Sequence, residues 1–493
     1  MRRSARSSSD TMPIISAAVR HPPDRSRSVT AIDGSRVGPA GLTRGSRWTR
    51  AVFSARPAAV NFSVAGAVRY AVLIAAGFVI ALYRYPSEWR YLMWSEDGGI
   101  FFEQALRIAL PEALMVPYAG YIHFVPRAIA EATTLVPVED AATLSTWIVA
   151  AVTSVIAAAI VFFSAAHLRN GAARVLLWLL VVAAPVAGME VALSSANLQW
   201  YLLGGAFFAV FGRRVGWTST VLSAVVVAMA LTSSVLALLF LPFVVMRALV
   251  FRTAWDSTLA VVATVCAVVQ LVGVLGTSRP GSDGPLSAWE VGRLYLVAVA
   301  DLAWGGSVSA LALQAAPRAA MVVGVCLTAL TIYLAWAVRR WSALPCVAMV
   351  VSVAYFLPVM MLTKVAAQDP FDYLGVAVGT RYIVFPIFAI GVVIVVLVDR
   401  LFPLARRSPT VRLRISVVIC LAALLFLQAG AIATSYRAVN PREIHLTGLP
   451  TWREAVAAAK ETCASGAQVA YLAGDAHTPD FGTISVRCED LAD

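Results

Sequence analysis

Charge is scarce in this 493-residue sequence. Only 13% of the residues are Asp, Glu, Lys or Arg, about half the ~25% usual in soluble domains. Lysine is rarer still, with Lys364 and Lys460 the only two. The six cysteines and five histidines form no CxxC pair and no metal-site spacing. P-loop, HExxH and GxSxG signatures are absent, so ATP-driven transport by this chain alone is not expected. Acidic residues are few within the apolar runs, which argues against ion-coupled transport. No matching Gly- or Pro-broken halves suggest an inverted repeat. The scarcity of charge, set beside a mean hydropathy of +0.78, excludes a soluble globular enzyme, a disordered protein and a secreted disulfide scaffold.

What the chain has is apolar surface. Hydrophobic residues make up 60%, and mean hydropathy is +0.78. The runs are continuously apolar rather than alternating, which points to helices and away from a transmembrane barrel. A span needs about 20 such residues. The sequence predicts eleven, at 65–83, 143–165, 173–192, 198–212, 216–232, 234–250, 257–276, 319–338, 343–363, 383–399 and 414–434. The pair flanking Thr232–Ser234 reads as two short helices on a tight turn or as a re-entrant pair. The stretch 291–313, with Arg293 and Asp301, reads as interfacial or half-buried. The fold class expected is an all-α polytopic membrane protein with a small α+β tail.

Arginine placement orients the chain. The net charge of +12 falls at span ends and in residues 1–60, a pattern of membrane topology rather than of nucleic-acid binding. Residues 1–60 read as a disordered, Arg/Ser-rich cytoplasmic N-terminus. Arg169 and Arg174, Arg247 and Arg252, Arg339 and Arg340, and Arg406 and Arg407 all fall in loops on that same side. The positive-inside tendency therefore places the N-terminus in the cytoplasm of a cell-membrane protein and, with eleven spans, the C-terminus outside. A transmembrane domain over 65–434 then has one large outer loop, 84–142, and an extracytoplasmic tail, 435–493. In the tail "WREAVAAAKETC" has helical propensity, whereas "AQVAYLA" and "TISVRC" read as strands. In an oxidising compartment Cys463 and Cys488 are expected to pair.

Three clusters could carry chemistry. In "WSEDGG" the adjacent Glu96 and Asp97 follow an apolar, aromatic run. A carboxylate partly withdrawn from water at the bilayer edge has a raised pKa, as a general base needs. The same residues also fit a helix cap formed by Ser95 and Asp97. The run "GGIFFEQALRIAL" that follows reads as an amphipathic helix at the interface, with Phe101, Ala105 and Ile108 on one face. Downstream, Tyr118, Tyr121, His123 and Arg127 lie within ten positions, a set suited to holding phosphate or simply to balancing nearby acids. The second cluster, "EVALSSANLQW", supplies Glu190, Asn197, Gln199 and Trp200, which suit a sugar by ring stacking and hydroxyl contacts. The third supplies Lys364, Arg381 and Tyr382. The two cations run against the inside-positive trend and could bind an anionic lipid carrier or snorkel to headgroups.

One span, then a long outer loop with an acidic pair in "SEDGG", resembles the GT-C superfamily of membrane glycosyltransferases, and the small cysteine-containing tail looks like that of its actinobacterial-type relatives. The resemblance implies an inverting enzyme using a polyprenyl-phosphate-linked sugar donor. It implies Asp97 as base, with Glu96 second. It also implies a leaving phosphate neutralised by Arg381 with Lys364 or Arg127, and a sugar held by Trp200, Asn197 and Gln199. His123 would orient phosphate or acceptor. A divalent cation at Glu96/Asp97 stays open, since two adjacent carboxylates do not complete a site. The alternative is a transporter or flippase for a lipid-linked glycan or polymer. Partners expected are the lipid-linked donor and membrane lipids, with no nucleic acid.

Overall fold

The structure is a computed structural model. It describes residues 49, 52–53, 63–84, 90, 92–94, 96–183, 189–192, 194–212, 216–276, 288–300, 303–304, 316–363, 380–407, 410–435, 450–473 and 483–491. Nearly all of 1–60 therefore lies outside the described residues, as do Ser95 and Lys364.

The longer helices are α1 (Val64–Leu82), α2 (Phe124–Thr133), α3 (Val138–Ser164), α4 (Gly171–Val182), α5 (Leu198–Phe211), α6 (Gly216–Ser233), α7 (Leu241–Phe251) and α8 (Ala254–Leu275). They continue with α9 (Pro317–Val338), α10 (Leu344–Thr363), α11 (Thr380–Arg407), α12 (Val411–Ser435) and α13 (Trp452–Ala464). Seven of these are long and apolar enough to cross a membrane: α1, α3, α6, α8, α9, α11 and α12. Four shorter apolar helices accompany them. The chain thus has the build of a multi-pass helical membrane protein.

Each of the eleven apolar runs is helical, but several boundaries move. Helix α3 begins at Val138, because Glu139 and Asp140 suit the positive end of a helix dipole although they are not apolar. The run 173–192 does not form one helix: α4 stops at Val182, and a short helix follows at Met189–Ala192. At Ser234 the backbone turns extended and restarts as a 3₁₀ segment, Val235–Phe240, leading into α7. In the stretch 291–313, Val291, Leu294, Val299 and Trp304 are buried in the bundle rather than lying at an interface. There Tyr295 hydrogen-bonds Ser352 at 3.1 Å, and Trp304 donates to Thr331 at 3.0 Å.

Helix α5 is buried over its whole length. It can sit at the centre because Gly204 and Gly205 let Phe388 of α11 and Val226 of α6 approach its backbone closely. Helices α3 and α11 flank it and are largely buried, whereas α1 and α12 are peripheral. At the end of the bundle remote from loop 84–142, arginines cap the helices. Arg247 pairs with Asp256 at 2.6 Å and donates to the Val210 carbonyl, and Asp399 accepts from the backbone N–H groups of Arg169 and Asn170.

The C-terminal appendage belongs to the same compact unit, residues 45–493. Helix α13 opens with a capping box between Thr451 and Glu454. Strands β1 (Val469–Ala473) and β2 (Thr483–Arg487) pair antiparallel, with Tyr471 opposite Ser485. A Cys463–Cys488 disulfide joins the end of α13 to the residue after β2. Trp452, Val456, Ile484 and Val486 then close a small core against Met93, Phe102 and Val138 of the first long loop.

Candidate functional site

Loop 84–142 enters the bundle at Glu96. Residues Asp97–Phe102 are wound as a π-helix, continuing as α-helix over Glu103–Ala105. The wider winding separates two adjacent aromatics. Phe101 turns to Tyr118 and His123, and Phe102 turns to Trp452 of the appendage. The amphipathic helix expected over 98–110 therefore ends at Ala105, and its buried face includes Phe102.

Asp97 is turned inward. It is 5% exposed, and its carboxylate grips the turn that leads into α5. Oδ1 accepts from Ser195 Oγ (2.8 Å), Ala196 N–H (2.8 Å) and Ser194 Oγ (3.3 Å), while Oδ2 accepts from Ser195 N–H (2.8 Å). Three of these four hydrogen bonds converge on Oδ1 and one reaches Oδ2, so the carboxylate is anchored chiefly through one oxygen. Burial pushes its pKa up to about 6, against those hydrogen bonds, which pull it down. Asp97 thus does act as a cap, but for the turn before α5 rather than for its own helix.

Its neighbour Glu96 faces a cavity of about 160 Å³. A cavity of about that size holds a single six-membered ring. Glu96 Oε1 receives the Arg381 guanidinium at 3.3 Å, with both side chains partly exposed. Tyr118, His123, Asn197, Gln199, Trp200, Arg381 and Tyr382 line the same space. Residues from three distant sequence clusters therefore converge. Ala196, Tyr121 and the apolar Val235, Leu236 and Val359 complete the walls.

The polar wall is held rigid. Trp200 Nε1 donates to Asn197 Oδ1 at 2.8 Å, and Asn197 Nδ2 donates to Ser194 Oγ at 3.2 Å. Gln199 Nε2 donates to the Ala196 carbonyl, and Gln199 Oε1 accepts from the Tyr121 hydroxyl at 3.3 Å. Trp200 meets Tyr382 edge-on at 5.6 Å between centroids. The opposite wall is a two-residue hairpin, Tyr118–Tyr121, whose central Ala119 and Gly120 have φ of 50° and 88°, the signature of a type I′ turn.

His123 stacks on Tyr121 at 4.0 Å, and its Nδ1–H donates to the Tyr121 carbonyl at 3.1 Å. Burial holds its pKa down to about 3, so the ring is neutral and offers no charge to an anion. Burial and the Glu96 carboxylate raise the Tyr118 pKa. Arg127 is not part of the cavity wall. It is buried against the Phe101 ring at 5.4 Å, with Nε and Nη2 making no hydrogen bond, and burial lowers its pKa to about 10. Pro126 does not break the helix there: it sits in the first turn of α2, where its missing N–H has no partner to lose.

Three supports of the site escaped the sequence reading. Gln270 of α8 is fully buried and holds Ile122 at both ends, accepting from its N–H at 3.2 Å and donating to its carbonyl at 3.3 Å. Ser233 accepts from the Val125 N–H at 3.0 Å. Ser195 holds Asp97. The visible signal was a lone amide in an apolar helix, which must face protein rather than lipid.

No family model, curated protein or solved structure matches this chain. Among the described residues no group of three or more His, Cys, Asp or Glu side chains could hold a metal ion.

Proposed function

We propose that this chain is a membrane glycosyltransferase of GT-C type, transferring a sugar from a polyprenyl-phosphate donor on the extracytoplasmic side, with Glu96 as the general base. The observation that carries this reading is the Glu96–Arg381 pair set beside Trp200, Asn197 and Gln199 in one cavity. A base and a cation on one ring-sized space are what inverting transfer from a sugar phosphate requires. Donor phosphate draws Arg381 away from Glu96. Glu96 then takes the proton of the acceptor hydroxyl, whose oxygen bonds to the anomeric carbon. The bond from that carbon to the phosphate oxygen breaks, and the polyprenyl phosphate leaves with its charge against Arg381. The apolar side of the cavity, at Val235, Leu236 and Val359, suits the start of a lipid chain. Asp97 keeps a positioning role, since it is buried behind the cavity wall and its carboxylate accepts four hydrogen bonds from the Ser194–Ala196 turn.

The test is transfer from a panel of polyprenyl-phosphate sugars by membranes carrying the wild type or Glu96→Gln. The variant is expected to lose about 10²–10⁴-fold in rate at equal protein level. Full activity in Glu96→Gln would sink the assignment of the base. Donor movement across the membrane without transfer, by both proteins, would favour the flippase alternative.

A further inference from the structure

Strand β2 of the appendage touches the segment just after Glu96 at Gly98, Glu103, Leu106 and Arg107. Ile484 of β2 lies directly over Gly98: a Cβ at position 98 would overlap Ile484 Cδ1 and stand 3.1 Å from both Ile484 Cγ1 and Met93 Cβ. The Ser485 N–H donates to Glu103 Oε2 at 3.0 Å. Arg107 returns the contact, donating to the Ser485 carbonyl at 3.2 Å and to its Oγ at 2.5 Å, and also pairs with Glu103 at 2.9 Å. Arg487 donates to the Leu106 carbonyl at 3.3 Å. The other side of the appendage is anchored on the start of α3. There Trp452 donates to the Val138 carbonyl at 2.6 Å, and Lys460 and Arg453 pair with Glu139 and Asp140 at 2.5 and 2.6 Å. The disulfide ties the two sides together.

We propose that the appendage is a positioning clamp for the site, in which Ile484 seated on Gly98 holds the π-helical turn so that Glu96 faces the cavity and Asp97 faces Ser195. The inference rests on Glu96 being the working acid of the cavity. Its physical basis is local. A π-helix is a poor free-standing structure, and two glycines follow Asp97, so this segment has little intrinsic preference to hold its shape. Asp97 fixes it from the bundle side, and β2 fixes it from the other. Glycine at 98 is what allows the approach.

The test reads the segment without any substrate, so it stands or falls apart from the transferase reading. Cys266, Cys326, Cys346 and Cys420 are replaced by alanine, and Glu96→Cys is introduced. The labelling rate by a membrane-impermeant maleimide is then measured in the purified full chain. Gly98→Ala, which collides with Ile484, is expected to raise that rate roughly tenfold by populating the open segment. Adding Ile484→Val, which deletes the overlapping Cδ1 and leaves the two 3.1 Å contacts, is expected to bring the rate at least halfway back on a logarithmic scale, the coupling of a direct contact. Tyr121→Cys, on the opposite wall next to Ile122, whose backbone Gln270 holds, is the control and is expected to keep its rate. If Gly98→Ala does not yield folded protein, Arg107→Ala takes its place, with the same rise at position 96 and none at 121. An unchanged rate at 96, a failure of Ile484→Val to restore it, or a parallel rise at 121 would overturn the clamp.

Discussion

At the scale of residues, two neighbouring carboxylates have different surroundings because the backbone turns them to opposite sides, Glu96 to the cavity and Asp97 to the Ser194–Ala196 turn. The sequence pair Glu96–Asp97 was legible as a candidate site, but its division of labour was not. Which of two adjacent acids reaches the cavity depends on the π-helical winding and on the Ser194–Ala196 turn, about a hundred residues away. Asp97→Asn separates the roles. Its amide N–H₂ would meet backbone donors where a carboxylate oxygen now accepts, so each bond lost costs about 1–3 kcal/mol. Thermal unfolding in detergent should show a clear drop in Tm. An Asp97→Asn protein as stable as the wild type but inactive would return the base to Asp97.

His123 gives the site a pH signature. Its folded pKa of about 3 lies below the ~6.5 of an unfolded chain, so as pH falls the unfolded state gains the proton first. The stability it contributes is fully present above about pH 6.5 and drains away towards about pH 3. His167, held down to about 4 by burial, acts in the same sense, and Asp97, raised to about 6, acts in the opposite one. His123→Gln should therefore flatten, without abolishing, the loss of Tm between about pH 7 and about pH 5. An unchanged slope would mean that the ring is not buried as described.

At the scale of elements, the apolar runs and their approximate limits followed from composition because a span must be apolar for its whole length. One start moved outward, to Val138, where Glu139 and Asp140 occupy the first turn, and one end moved inward, to Val182. The part that composition could not show is the segment from Tyr118 to His123, a single-bridge hairpin that lies among the helices yet runs into the first turn of α2, where backbone N–H groups also lack helical partners. Such backbone has no ladder of its own, so other elements must satisfy it. Gln270 does so for Ile122, and Ser233 for Val125. Gln270→Leu keeps the volume but leaves the Ile122 N–H and carbonyl without their partner, at about 1–3 kcal/mol each. The variant should unfold at lower temperature, and hydrogen exchange should rise across 118–125 while the core helix α5 stays protected. Equal protection across 118–125 in both proteins would show that the segment is held by something other than Gln270.

At the scale of the whole molecule, function depends on which side of the membrane the cavity opens. The bundle has the cavity and the disulfide-closed appendage at one end, and the Arg247–Asp256 and Asp399 caps at the other. By the positive-inside tendency, the arginine distribution predicts that the second end faces the cytoplasm. The disulfide argues the same way by an independent route, since such bonds persist in oxidising compartments. The polyprenyl-phosphate donor proposed above fits that orientation. Two single cysteines read it directly in intact cells. With the four free cysteines replaced, Tyr471→Cys, at a position 67% exposed on β1, should react with an impermeant maleimide from outside. Arg340→Cys, exposed in the turn after α9, should react only after permeabilisation. The reverse pattern would turn the cavity to the cytoplasm. There sugar nucleotides rather than lipid-linked sugars would be the expected donors, and the apolar wall at Val235, Leu236 and Val359 would need another explanation.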